Sequence, residues 1–347
     1  MEAILCVTIH GSMVSAISYP VRTPEWVLNY QGINITADIS AMLLSISYTD
    51  YLSELSGELE FVIEDHDQRW QTSWYPTLRD EVSLAMGYHG EGLLPCGEFQ
   101  IDQLELAGPP DTLVIRCLAA FITPAMQTPN SAGYENETLL GIAQTIGQKY
   151  GLAVIGTPDV IDIAFERVTQ KHETDLAFLK RLALEHDYNF SIRGSILVFY
   201  ARASLEAIPP VQTVTRTDVE RFEFRNRTHA IYRAAEVVYH DLTTKPLIAQ
   251  GVVATAPIPT GDVLKLVSRC ENGQQALLRA QAALHSHNIS FIEATVTMPG
   301  SVAMASGNTI ALSGFGEFDG TYIILVANHR LDRAHGYTTR LEVTRVF

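Results

Sequence analysis

Several short runs in this chain carry the residue types that chemistry requires. His285-Ser286-His287 offers two imidazoles, common nitrogen ligands of a zinc-type ion. Residues two apart on a helix point to different faces, however, and no third ligand stands nearby. Asp65-His66-Asp67 also has ligand chemistry, but such residues in a turn most often hold their own backbone. His172-Glu173-Thr174-Asp175 sets an imidazole beside two carboxylates, as acid–base work would need, and reads better as the start of a helix. Gly314-Phe315-Gly316-Glu317-Phe318-Asp319-Gly320 is Gly-rich but lacks the Lys-Ser/Thr and following helix of a phosphate loop, so it is expected as a turn between strands. The sequence holds no Gly-x-Ser-x-Gly elbow and no His-Glu-x-x-His. A carboxylate pair for glycoside cleavage depends on separation in space and stays open at this level. The expectation is a chain that is no enzyme, with no catalytic, cofactor-binding or metal-ligating residue, which acts by fit and burial.

Composition narrows the partners. The net charge of −15, from 24 Lys and Arg against 39 Asp and Glu, argues against nucleic-acid binding, which needs clustered basic residues. An acidic surface would still let DNA pass without adhering. No apolar run approaches the roughly 20 residues of a membrane span. Met1 to Tyr19 is apolar, but Glu2 stands where a signal peptide carries basic residues, so residues 1–25 are expected as an N-terminal arm or extra strand. Cys6, Cys96, Cys117 and Cys270 lack CxxC spacing and lie in or beside apolar strands, which suits free thiols in a reducing cytoplasm. At 347 residues, two or three domains are expected.

The elements that would position these residues divide into three stretches. Residues 26–121 read as all-β. Leu44, Ile46 and Tyr48 alternate with polar residues, as do Leu59, Phe61 and Ile63, giving each strand one face for a core and one for water. Leu52 to Gly57 is expected as a hairpin turn, and Asp65 to Leu78 as an irregular excursion. Trp70 and Trp74 on that excursion are candidate interface anchors, or a cover for one end of a barrel. Thr123-Pro124 through Gly133 has the composition of a boundary loop, and residues 122–208 follow as an α/β middle domain. A first helix is expected over Glu137 to Tyr150, capped by Gly151, with Leu139, Leu140, Ala143, Ile146 and Tyr150 inward. A second begins near Glu173-Thr174-Asp175 and carries Leu176, Leu179, Leu182 and Ala183. Tyr188 to Tyr200 is expected as a hairpin turning at Gly194. Residues 209–347 read as a second β-module interrupted by an amphipathic helix over 272–287, with Leu277, Ala280, Leu284 and His287 at core spacing.

The two β-stretches repeat one another. Val82-Ser83-Leu84, Gly97-Glu98-Phe99-Gln100-Ile101 and Thr112 to Cys117 return as Ile310-Ala311-Leu312, Gly320-Thr321-Tyr322-Ile323-Ile324 and Thr339 to Val346. If three such chains close a ring, six similar modules result, so a threefold object offers a near-sixfold face.

The run Arg167 to Ala183, followed by Tyr188-Asn189-Phe190, resembles the signature of phage late control protein D, the baseplate or tail-tip hub family of contractile tails and R-type bacteriocin-like particles. A similar Gln-x-x-Glu-Ser/Thr-Asp run occurs in the hub part of type VI secretion spike proteins. Asn34 to Ile39, Ser45 to Asp50 and Gly97 to Thr112 resemble the opening of that family, so the likeness extends over roughly Trp26 to Phe347. Gln170, Glu173, Asp175, Phe178, Leu179, Arg181 and Leu182 are the positions that match the signature, with structural roles implied. The resemblance implies two tube-like β-barrel modules per chain and a homotrimer forming a pseudo-hexameric ring. It also implies a symmetry adaptor, located in the baseplate of a virion or headless particle and assembled in the bacterial cytoplasm. The implied partners are the sixfold tail tube protein, a trimeric central spike and other baseplate proteins, with the tape measure protein as a further candidate. No cofactor is implied.

One alternative comes from another class. Thr138-Leu139-Leu140-Gly141-Ile142-Ala143, followed by Lys149-Tyr150-Gly151-Leu152, resembles a LysM-type glycan-binding module, which would make the middle domain a peptidoglycan binder. A cell-wall hydrolase is a third reading. Glycan pull-down separates the first of these from the hub, and zymography on cell wall the second.

Overall fold

Alternation of apolar and polar residues makes most of this chain extended. The computed structural model describes residues 22–52, 57–119, 125–126, 128–156, 163–240, 247–259 and 261–347. Met1 to Tyr19 of the expected arm, the tip of the Leu52 to Gly57 turn and Thr123-Pro124 lie outside these residues. The fold is mainly β. A strand already begins at Pro24, where Pro24 pairs with Tyr88 and Glu25 with Gly87, so the end of the expected arm belongs to the first β-stretch.

Thirteen strands form one continuous sheet. In spatial order its main path runs Arg221–Asn226, Ile292–Pro299, Gly336–Arg345, Gly320–Asp332, Leu43–Tyr51, Glu58–Glu64, Thr112–Ala119, Gly92–Ala107, Glu81–Tyr88, Pro24–Tyr30 and Ile33–Asn34. Gln212–Thr215 and Thr309–Ser313 attach beside Gly320–Asp332. The two β-stretches thus meet edge to edge, with Val326 to Asp332 antiparallel to Ser45 to Tyr51.

The first two runs of the repeat read from sequence hold to the residue, while the third is displaced: Thr112 to Cys117 correspond to Thr338 to Val343 and not to Thr339 to Val346. Val82 pairs with Phe99 and Leu84 with Gly97 in one copy; Ile310 pairs with Tyr322 and Leu312 with Gly320 in the other. Gly97 and Gly320 both take positive φ, +113° and +155°, where an L side chain is strained. Each copy then carries one β-bulge at the same place: Ile101 pairs with Cys117 and Gln103 with Arg116, while Ile324 pairs with Val343 and Val326 with Glu342. The correspondence reaches two strands further than the sequence suggested. Tyr48 faces Leu59 as Phe224 faces Ala294, and these strands stand at equal distances from the bulge.

Each copy surrounds its own apolar core. Leu59, Phe61 and Ile63 are fully buried in the first, as expected, at about 2 kcal/mol each. In the neighbouring strand Leu43, Ile46 and Tyr48 face that core and Leu44 does not, because a bulge between Leu43 and Ser45 shifts the alternation by one residue. Val214, Val296, Ile310, Tyr322 and Val343 form the second core.

One smaller unit lies between the copies, and another is inserted into the second copy between Arg221–Asn226 and Ile292–Pro299. In the first, strand Asn130–Thr138 pairs with Ala164–Glu173, so Asn130 to Gly133, expected as loop, is the start of a strand. Its small polar residues pair through their backbones. Helix Leu139–Tyr150 is capped by Thr138, whose hydroxyl accepts from the Gly141 N–H at 3.0 Å, and ends at Gly151 with φ +70°. Leu139, Ile142, Ala143 and Ile146 are its buried side. Helix Asp175–Glu185 is capped by Thr174 and buries Leu176, Phe178, Leu179, Leu182 and Ala183. The hairpin Tyr188–Arg193 and Ile196–Ala201 turns at Gly194, and Ala153–Gly156 pairs parallel to it. In the second unit, Ala234–His240, Leu247–Val253 and Val263–Val267 form a separate three-stranded sheet covered by helix Gly273–Asn288. Ala276, Ala280 and Leu284 face that sheet, whereas Leu277 stays 38% exposed and His287 lies outside. Ala280 and Leu284 are buried as expected, while Ala276 takes the place expected for Leu277 and His287 falls outside the stripe.

Candidate assembly site

Strands whose apolar side chains fill a core must turn their alternate residues to the opposite face. On the continuous sheet that face carries Ser47, Thr49, Glu58, Glu60, Glu105 and Arg116 from the first copy. Corresponding positions in the second hold Glu223, Arg225, Glu293, Thr295 and Glu342. A shallow groove opens at each bulge. One is lined by Ser47, Thr49, Glu60, Asp102 and Arg116, the other by the corresponding Glu223, Arg225, Thr295, Leu325 and Glu342. The two copies share geometry but not chemistry: Thr49 corresponds to Arg225, Asp102 to Leu325 and Arg116 to Glu342.

Local ion pairs organise this polar face. Arg116 bridges Glu60 at 2.8 Å and Glu105 at 3.0 Å, and these two carboxylates, Glu105 foremost, hold its guanidinium above the ordinary value. Arg225 pairs with Glu223 at 2.8 Å, and Arg227 with Glu293. Such exposed pairs contribute little stability, so their worth lies in what a partner meets.

The seam between the copies is built differently, from polar groups that are part-buried on its outer side and fully buried within. Asn328 Nδ2 donates to Ser47 Oγ at 2.9 Å and to Thr49 Oγ1 at 2.7 Å. His329 is fully buried against Tyr48, with Nε2 2.8 Å from the Met304 carbonyl and Nδ1 2.8 Å from the Tyr337 hydroxyl. Burial holds its pKa below the ordinary value, so the imidazole is neutral, Nε2 donating to Met304 and Nδ1 accepting from Tyr337. Asp50, also buried, accepts the Ser306 N–H at 2.9 Å. Sequence alone gave no hint of this seam, because its partners lie some 280 residues apart.

The signature residues come together at the start of helix Asp175–Glu185. Gln170 and Asp175 are buried; Gln170 Nε2 donates to Asp175 Oδ1 at 2.8 Å and to the Glu173 carbonyl at 2.9 Å. Asp175 Oδ2 receives Lys149 Nζ at 2.7 Å and the Tyr150 hydroxyl at 2.6 Å. Burial raises the Asp175 pKa, but the hydrogen bonds from Lys149, Tyr150 and Gln170 outweigh it and hold the carboxyl below its ordinary value. Arg181 binds both oxygens of Glu173, at 2.7 and 3.1 Å, and Glu185 at 3.0 Å. Phe178, Leu179 and Leu182 point into the core beneath. The cluster ties one helix to a strand and to the preceding helix, which is a structural arrangement.

Trp70 and Trp74 part company. Trp70 is buried in the first core and Trp74 is 38% exposed, edge to face with it at 5.5 Å. Trp74, Tyr75 and Pro76 rim an apolar groove floored by Tyr30, Ile35 and Trp70. The chemistry-bearing runs do not converge. His285 pairs with Asp187 at 2.8 Å while His287 meets the Tyr232 ring edge to face. Asp65 accepts the Trp70 N–H at 3.1 Å, His66 pairs with Glu64 at 2.7 Å, and Asp67 with Arg69. Among the described residues no group of three or more His, Cys, Asp or Glu is placed to hold a metal, and no helix is long and apolar enough to cross a membrane.

No family model matches the chain. Among curated proteins, the probable baseplate hub proteins of Escherichia phages 186 and P2 are 25% and 26% identical to it. The matches extend over 228 and 230 residues, 64% and 65% of this chain, and span 58% of the length of each relative. Among solved structures, the 43 kDa tail protein of prophage MuSo2 from Shewanella oneidensis superposes with a TM-score of 0.70 at 16% identity, over 93% of this chain and 98% of that one. The E. coli c3393 protein, a component of the type VI secretion system with structural similarity to T4 tail proteins gp27 and gp5, gives 0.58 at 13% identity, over 92% and 76%. The chain is therefore a homologue of phage baseplate hub proteins, with the fold of phage tail proteins and their type VI secretion relatives.

Proposed function

We propose that this chain is the structural baseplate hub of a contractile injection machine, a phage tail or tailocin. It would act as a homotrimeric symmetry adaptor between the sixfold tail tube and the threefold central spike, at the tail tip of the particle. The observation that carries the reading is the internal repeat: five strands recur with the same register and the same bulge, so one chain presents two near-equivalent surfaces. A threefold spike cannot offer six equal contacts to a tube; three chains with two quasi-equivalent modules each can. The differing charges at matched positions, such as Arg116 against Glu342, would let one ring hold a six-part pattern for the tube and a three-part pattern for the spike. Residues 26–121 and 209–347 would form the ring, with the middle domain at 122–208 and the segment around 272–287 making contacts outside it. Trp74 on its apolar rim is a candidate contact with a further baseplate protein.

The test is co-expression with the tail tube and spike proteins of the same particle. A ternary complex with three copies of this chain supports the adaptor. Stable binding to neither protein would refute it.

A further inference from the structure

Among the described residues the sheet has two open edges that match the seam inside the chain. At the seam, the second half of Gly320–Asp332 pairs with Leu43–Tyr51. In the first copy the corresponding half-strand is Gln103–Ala107. Glu81–Tyr88 pairs only as far as Gln100, so among the described residues its outer edge is unpaired. In the second copy, the counterpart of Leu43–Tyr51 is Arg221–Asn226, which among the described residues terminates the sheet and pairs on one side only. Exposure records the difference. Leu106 is 51% exposed where its counterpart His329 is fully buried, and Phe222 is 37% exposed where Ile46 is fully buried.

We propose that a second copy of this chain fills these edges: Gln103–Ala107 of one subunit adds antiparallel to Arg221–Arg227 of the next, repeating the internal seam. The inference rests on the ring reading above and specifies its contact. Carrying the seam register across the repeat sets Gln103 opposite Arg227, Glu105 opposite Arg225, Leu106 opposite Phe224 and Ala107 opposite Glu223. Two independent features agree with that register. Glu105 and Arg225 take the places of Asn328 and Thr49, which hydrogen bond across the seam at 2.7 Å, and they are opposite in charge. The exposed Leu106 and the half-buried Phe224 fall together on the core side. Both edges are heterologous, so the pairing runs head to tail and closes a ring without leaving a free edge.

The test joins the edges covalently in a Cys6→Ser background. A chain carrying both Glu105→Cys and Arg225→Cys, purified and treated with a mild oxidant, should run as linked multimers on a non-reducing gel, while each single variant stays monomeric. A control pairs Glu105→Cys with Glu223→Cys, two residues out of register, and should link at least tenfold less. Charge reversal gives a second reading that needs no oxidation. Arg225→Glu and Glu105→Arg should each raise the half-assembly concentration about fivefold or more, and their combination should restore it. A trimeric ring whose in-register thiols do not link and whose reversals show no rescue would overturn this contact and leave the hub reading standing. Equal linking by the out-of-register pair would overturn the register. A wild-type protein that stays monomeric alone and with tube and spike would overturn both readings.

Discussion

The buried carboxylate of Asp175 should be the most sensitive single group of the middle unit. Replacing it with Ala removes the acceptor of Gln170 Nε2, which is buried and keeps only the Glu173 carbonyl. It also removes the acceptor of the Tyr150 hydroxyl and the charge facing Lys149. Each charge-assisted bond to the interior contributes about 1.5 kcal/mol net. The half-exposed Lys149 adds little, and the lost negative charge at the helix start about 0.5 kcal/mol. The sum is about 3.5 kcal/mol for Asp175→Ala and about half that for Asp175→Asn, which keeps an oxygen for Gln170. The assay separates the units because all three tryptophans, Trp26, Trp70 and Trp74, lie in the first β-stretch. Urea unfolding followed by circular dichroism at 222 nm reports the helices, and Trp fluorescence reports the first core. Because the folded pKa is depressed, the stabilisation is present above the unfolded carboxyl value and disappears as pH falls through the folded one, so wild type and variant should converge in acid. A helical transition shifted by less than 1 kcal/mol at pH 7, or an Asn variant as costly as Ala, would refute the reasoning.

Three further outcomes follow from the packing. A Cβ on Gly300 would lie 2.1 Å from the Tyr337 ring, so Gly300→Ala should cost about 2–3 kcal/mol in thermal unfolding, whereas Gly90→Ala, with open space but φ +80°, should cost about 1 kcal/mol. Burial pushes the Cys117 thiol up to about 12 and raises Cys96 and Cys270 as well, so in a Cys6→Ser background a thiol reagent at pH 8 should label the native protein at less than a tenth of the unfolded rate. The hydrogen bond to Asp187 raises the His285 pKa, so its contribution is complete below the unfolded imidazole value and is lost as pH rises through the folded one. Proton NMR of His285 should show a titration that moves down in Asp187→Asn.

Much of this was legible in sequence because local rules governed it. The helix start at Glu173-Thr174-Asp175 and the stop at Gly151 stand as read, and the alternation in Glu58–Glu64 assigned its buried face, while Thr138, expected inside its helix, is the cap. The repeat was visible because a bulge, a positive-φ glycine and core-facing aromatics must recur together for the register to hold. Misreadings arose where backbone pairing overrode composition. A bulge moved the core position from Leu44 to Leu43, and Asn130 to Gly133 became a strand through its partner. The small sheet under helix Gly273–Asn288 was missed because Val263–Val267 pairs parallel to Ala234–His240, a contact no local pattern encodes. The seam through Asn328 and His329 was unreadable for the same reason. Two of its residues, Asp50 and His329, are polar, so hydropathy would have placed them at the surface. The chemistry-bearing runs were resolved by partners: each of His285, Asp65 and Glu173 is satisfied by a neighbour within its own fold unit or the adjoining one.

The central claim is that three chains with two modules each make one ring. The most direct measurement is the mass in solution by light scattering, alone and with the spike protein, joined to class averages of negatively stained particles. A trimer whose averaged face shows six similar lobes is the expected result. A stable monomer, alone and with the spike, would contradict it.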